Sequence, residues 1–131
     1  MTLDYEDRLM DYLDTLRLQF RVMADSNSAG ESISVVSMPG SLTIRQYQDG
    51  AKDKRFTHFI RIKAKDTNRN IAEDTLQLIA SALSDVEELP SQNDSYEFNV
   101  INITNEPYLF QVGTDGFIYF QMSIQTELTI F

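Results

Sequence analysis

The stretch FTHFIRIKAK, residues 56–65, alternates without a break. Phe56, His58, Ile60, Ile62 and Ala64 fall on one side of an extended chain, and Thr57, Phe59, Arg61, Lys63 and Lys65 fall on the other. A helix would scatter both sets around its axis, so the segment reads as a strand with one apolar face and one basic face.

The rest of the chain is read around this strand. Residues 3–23 carry Leu9, Leu13, Leu16, Phe20 and Met23 on one helical stripe. Asp4, Glu6 and Asp7 stand in the first turn and Arg17 and Arg21 in the last, the order that the helix dipole favours. A polar loop follows at 24–32. A strand is expected at 33–38, stopped by Pro39-Gly40, and another at 42–48 with Leu42, Ile44 and Gln46 on one face. Asp49-Gly50 signals a turn, with a loop running on to Phe56. Asp66 and Thr67 are candidate N-caps for a helix over 68–87. Its expected buried face is Ile71, Thr75, Leu78, Ile79, Ala82, Leu83 and Val86, widened by Leu76, and Pro90 follows its end. The last third reads as strands at 96–104, 107–113 and 117–131, the latter two joined by the turn TDG. In the first of them the alternation slips at Val100-Ile101, the mark of a bulge or of burial on both sides. In the last, Ile118, Phe120, Met122, Ile124, Leu128 and Ile130 share the core phase.

The element order is therefore α-β-β-β-α-β-β-β, an α+β layer of two helices packed on a mostly antiparallel sheet. A chain of 131 residues with 42% apolar and 24% charged side chains is expected to form a single domain, 1–131, that builds its core without staples. There is no cysteine, hence no disulfide and no thiol nucleophile. The charged N-terminus lacks the apolar run of a signal peptide, and no stretch reaches the length of a membrane span. The protein is expected to be soluble and used without export.

Catalytic chemistry is poorly represented. His58 is the only histidine and lies on the apolar side of its strand, so a histidine-rich metal site within one chain is excluded. A His–Asp general-base pair competes there with a satisfied core histidine, and the latter is the commoner case. Glu73/Asp74 and Glu87/Glu88 are neighbours on a helix and point about 100° apart, so they do not converge on a substrate. No Gly-rich phosphate loop is present. The reading is of a protein that is not an enzyme, with no catalytic, cofactor or metal residues.

What stands out is charge. The chain is acidic, with a net charge of −9, yet from Arg45 to Arg69 it has eight basic residues against three acidic ones. The remainder has three basic and 17 acidic residues. A basic strand face, Arg61, Lys63 and Lys65, adjoins a mixed-sign loop carrying Asp49, Lys52, Asp53, Lys54 and Arg55. Phe59, Phe117 and Tyr119 fall on the outer face of their strands and need a cover, from the chain's own helices or from another subunit. The basic patch fits a solvated face, a contact between copies whose basic side meets an acidic side, or a contact with nucleic acid. Thin aromatic interleaving gives no support to a base-stacking platform.

The segments MPGSLTIRQYQDGAKDKRF, EELPSQNDSYEF, ITNEPYLF and GFIYFQMSIQTELT, in that order and spacing, resemble the minor capsid proteins of siphophages that infect Gram-positive bacteria. The α+β order and length are also similar to those of tail terminator proteins. The resemblance implies a structural virion protein of the head–tail junction, found in the host cytoplasm during assembly. It implies a hexameric ring of identical copies that caps the tail tube and joins it to the head connector proteins. DNA would pass through that ring without being specifically bound, and no membrane is involved. The net charge of −9 by itself suits a lumen lined by acidic residues. On this reading Asp49, Lys52, Asp53, Lys54, Arg55, Arg61, Lys63 and Lys65 set register against a neighbour or the tube, and Phe59, Phe117 and Tyr119 are its apolar anchors. The alternative is a small binding or decoration module acting as a monomer or dimer.

Overall fold

The computed structural model describes residues 3–23, 30–38, 42–113 and 115–131. The expected loop residues 24–29, the stop at Pro39-Gly40 and Thr114 of the TDG turn lie outside the described residues. The elements are α1 (Tyr5–Thr15), β1 (Arg21–Met23), β2 (Ser32–Ser37), β3 (Leu42–Gln46), β4 (Lys52–Lys65), α2 (Arg69–Ser84), β5 (Tyr96–Val112) and β6 (Phe117–Ile130). Among the described residues, two helices accompany one six-stranded sheet in the order β1-β2-β4-β6-β5, with β3 also paired to β4. All pairings are antiparallel except β1 with β2. The α+β layer is as the sequence implies.

β4 behaves as its alternation requires. His58, Ile60, Ile62 and Ala64 are buried, and Phe56 packs against the core. Ile118, Phe120, Met122, Ile124 and Leu128 of β6 are buried on the same side. They meet Tyr5, Leu9 and Leu13 of α1 and Ala72, Leu76, Ile79 and Leu83 of α2 in one cluster. The helices thus cover one face of the sheet, here called the inner face. Several of its polar atoms are paired at the end nearest the start of α1, while His58 Nδ1 there is buried without a hydrogen-bond partner among the described residues. The Tyr5 hydroxyl bonds Thr126 Oγ1 at 2.6 Å, and burial drives its pKa far above the phenolic range. Tyr96 donates to the Leu89 carbonyl, and burial pushes its pKa up to about 12. Asp4, just before α1, accepts from the Ser91 hydroxyl (2.6 Å), the Gln92 amide (2.9 Å) and the Ser95 hydroxyl (3.0 Å). This clasp fixes the segment that leads into β5.

Several elements differ from their sequence signals. α1 ends at Thr15, not at residue 23. Leu16 and Arg17 close a last turn on Leu13 and Asp14, and Arg17 takes a left-handed φ of 54°, which stops the helix. Residues 21–23 instead pair in parallel with Ser32–Ser34 and cover the margin of β2. Leu16 and Phe20 still pack on the core, so their spacing fits both conformations. α2 is rotated from the expected face. Its buried stripe is Ala72, Thr75, Leu76, Ile79 and Leu83, while Ile71 and Leu78 are 38% and 48% exposed. Leu76, expected at the margin, sits at the centre. Asp66 and Thr67 do not cap α2; they lie in a 3-10 turn, and Asp66 instead takes the Arg69 guanidinium. The two strands expected at 96–104 and 107–113 are one 17-residue strand, β5. Pro107 fits because β5 is outermost and need not donate on its free side. The slip expected near Val100 is a register shift between Phe98 and Val100.

The expected loop from Asp49 to Phe56 is a tight turn. The Tyr47 amide bonds the Ala51 carbonyl at 2.8 Å, Asp49 Oδ1 accepts the Ala51 amide at 3.0 Å, and Gly50 takes a φ of 94°. Residues 52–55 already belong to β4. β3 is exposed along its whole length, so Leu42 and Ile44 do not enter the core.

Leu76→Ala is expected to lower the unfolding free energy by about 2–5 kcal/mol and Leu78→Ala by less than about 0.5 kcal/mol. Urea denaturation of the two variants checks this; equal losses would restore the face drawn from periodicity.

Candidate interaction surface: the outer face of the sheet

The outer face carries most of the residues singled out by charge and aromaticity, and the register lines them up in rows. One row runs Ser34, Arg61, Gln121, Tyr108 across β2, β4, β6 and β5. Arg61 donates Nε and Nη2 to Gln121 Oε1 at 2.9 and 2.7 Å. Gln121 Nε2 donates to the Tyr108 hydroxyl at 2.8 Å, and the Arg61 guanidinium carbon stands 4.7 Å from the Phe110 ring centroid. Gln121 is only 3% exposed, although no helix lies over it; its neighbours on the sheet shield it. In the next row Lys63 pairs with Tyr119, and its Nζ lies 4.5 Å from the Phe117 centroid. Lys65 pairs with Phe117, is exposed, and gives its backbone amide to Glu31.

The same pattern continues toward the β3–β4 turn. Phe59 is half-buried opposite Ser123, which is bonded by Thr104 and Asn105. Arg55 binds Glu127 Oε1 through Nη2 at 2.8 Å. Asp53 accepts from Thr129 at 2.6 Å and from the Tyr47 hydroxyl at 2.7 Å, and these bonds hold its carboxyl below the usual range. Lys52 and Lys54 differ: they share the alternation phase of Phe56 and His58, not that of Arg61.

The expected interface set is therefore split. Asp53, Arg55, Arg61 and Lys63 make contacts within the chain, and so does Phe117, under Lys63. Tyr119 is half-buried opposite Lys63. Asp49 holds the turn. Part of the cover on this face comes from the strand itself: Arg61 lies over Phe110 and Lys63 over Phe117. An aromatic face attracts a cation, and the alkyl stem shields the ring from water, so a basic strand suits an aromatic neighbour. Sequence reasoning missed Gln121, Tyr108 and Glu127. Gln121 and Glu127 sit on the polar phase of β6, a signal that becomes legible once β4 is known to pair with it.

His58 is a buried histidine with a partner. Its Nε2 lies 3.1 Å from Glu6 Oε1 and its ring 5.6 Å from that of Tyr5. Burial lowers its pKa, and the Glu6 carboxylate only partly offsets this. The ring is 2% exposed, whereas the Glu6 side chain is 54% exposed, so the carboxylate and not the imidazole meets solvent. Among the described residues no group of three His, Cys, Asp or Glu side chains could hold a metal ion, and no helix is long and apolar enough to cross a membrane.

The fold is a two-layer α+β chain whose outer sheet face is partly knitted together by its own polar side chains. The chain matches the bacteriophage tail terminator protein family over residues 9–130, almost its whole length, and belongs to that family. It is a phage structural protein of the tail end, as the resemblance to head–tail junction proteins implies. A comparison with curated proteins finds no match.

Arg61→Ala should cost about 1–3 kcal/mol in urea denaturation by stranding Gln121, whereas Lys65→Ala should change stability by less than about 0.5 kcal/mol. Equal effects would mean that Arg61 is mere surface. His58 adds a pH dependence. Its folded pKa lies below the ordinary 6.5, so its share of stability is full above that pH and is lost as pH falls through the folded value. Unfolding midpoints taken at roughly pH 7.5 and pH 5.5 should fall more in the wild type than in His58→Gln; parallel falls would remove the histidine from the account.

Proposed function

We propose that residues 1–131 act as a single unit and that copies associate head to tail into a ring, hexameric as in the proteins it resembles, which caps the tail tube and joins it to the head connector. The family match over residues 9–130 carries this reading. The segregation of charge, with eight of the 11 basic residues between Arg45 and Arg69, supports a contact in which unlike sides of two copies meet. Rim charges of this kind set register and on-rate more than affinity.

The outer-face contacts refine which residues serve that role. Arg55, Arg61 and Lys63 steady the sheet, and the contact with a neighbour or with the tube falls to Lys52, Lys54, Lys65 and the turn at Asp49. DNA passes through the ring and is not gripped, since acidic residues outnumber basic ones by 20 to 11 and repel phosphate.

Light scattering and negative-stain imaging, with and without tail-tube protein, test this. Rings of about six copies, formed alone or on the tube, are expected. A strict monomer or dimer that never binds the tube would favour a decoration module instead.

A further inference from the structure

Two margins of the sheet match each other at one level. Through the register, Leu42 pairs with Arg55, Arg55 with Glu127, and Glu127 with Val100. Leu42 and Val100 therefore end one row of the outer face, and they are 58% and 39% exposed. The next row runs from Arg45 through Asp53 and Thr129 to Glu97. One row thus ends in two exposed apolar side chains and the other in a cation and an anion. Between the rows each margin carries a register shift, at Ile44 on β3 and at Asn99 on β5, so the two segments advance in step.

Direction agrees as well. β3, β4, β6 and β5 alternate, so β3 runs opposite to β5. Among the described residues, β3 pairs only with β4 and β5 only with β6, which leaves one side of each without a strand. Beside β2 that place is taken by β1, so of this margin only β3 is open. Charge follows the same axis. Arg69 is the last basic residue; beyond it the chain has ten acidic residues and no basic one, and these residues build α2, β5 and β6. Glu88, Asp94 and Glu97 join Tyr96, Phe98 and Phe131 in an open groove along the β5 margin. On the other side Arg45 stands on β3, Asp49 in the turn, and Lys52 and Lys54 at the adjoining start of β4.

We propose that β3 of one copy adds to β5 of a second copy as an antiparallel strand, with Leu42 opposite Val100, Ile44 opposite Phe98 and Arg45 opposite Glu97. This rests on the ring reading and names the contact that builds the ring. An unpaired strand margin is a template for another chain; main-chain bonds supply affinity and alternate side chains supply register. The apolar pair and the ion pair both fall on the outer face, so a slip by one residue would lose both. Each copy gives with one margin and receives with the other. The contact is heterologous and repeats around a ring.

The absence of cysteine makes disulfide trapping free of background. Opposed residues in an antiparallel pair have Cα atoms about 4.5–5.5 Å apart, within disulfide reach. Leu42→Cys and Val100→Cys proteins, mixed and oxidised with and without tail-tube protein, should give a linked pair, with only traces in either variant alone. The double variant should give a ladder that ends at the ring, and Leu42→Cys with Glu97→Cys should stay unlinked. Rings that form without linkage in the mixture would overturn the strand pairing and leave the ring reading standing. If the wild type forms no oligomer under either condition, the ring reading fails and takes this contact with it.

Discussion

Ile60 and Ile62 are sealed beneath the helices, while Arg61 and Lys63 stand on the opposite face of the same strand. That alternation in β4 is the constraint on which the rest of the structure depends. Fully burying each isoleucine is worth about 1.5–3 kcal/mol, so a shift of one residue would bury cations and expose the core. β4 pairs with β2 and β3 along one side and with β6 along the other. Its register therefore fixes the faces of the strands beside it, and both helices follow because only one face offers an apolar surface.

The basic character of β4 has a structural use that its sign alone does not reveal. An outer face with Phe110, Phe117 and Tyr108 and no helix above it needs another way to limit water contact. Arg61 over Phe110 and Lys63 over Phe117 supply part of it, and Arg61 also satisfies the buried amide of Gln121. Phage head–tail proteins meet their partners through surfaces, and here much of one surface is internally complete. The open features lie at the β3 and β5 margins, at the ends of the rows and not at their centre.

Legibility varied with the kind of signal. The strand at 56–65 and the core phase of 118–128 were plain, because a two-residue period survives any choice of neighbour. The end of α1 was not plain, because Leu16 and Phe20 reach the core whether the chain is helical or extended, and the stop depends on the backbone at Arg17. Periodicity draws the face of α2 toward Ile71 and Leu78 and away from Ala72. Ile71 and Leu78 extend its apolar arc, and only the width of the layer beneath decides where cover ends. The break expected near Pro107 vanished because β5 is an outermost strand, which periodicity cannot tell from a central one. Of the candidate surface residues, the shared face of Phe59, Arg61, Lys63 and Lys65 is legible from alternation, and the partners are not.

By itself the sequence determined the α+β class, the two-faced central strand, the placing of its one histidine on the apolar face and the lopsided distribution of charge. These follow from local spacing and from composition, which do not change when the chain folds. The tertiary structure alone decided that Arg61 meets Gln121, 60 residues away, that Arg55 meets Glu127, and that Leu42 and Val100 end the same row. Hydrogen bonds, ion pairs and cation–π contacts act over a few ångströms between groups distant in the chain. Which charges are spent inside the molecule and which remain for a partner is therefore settled only when the strands take their register.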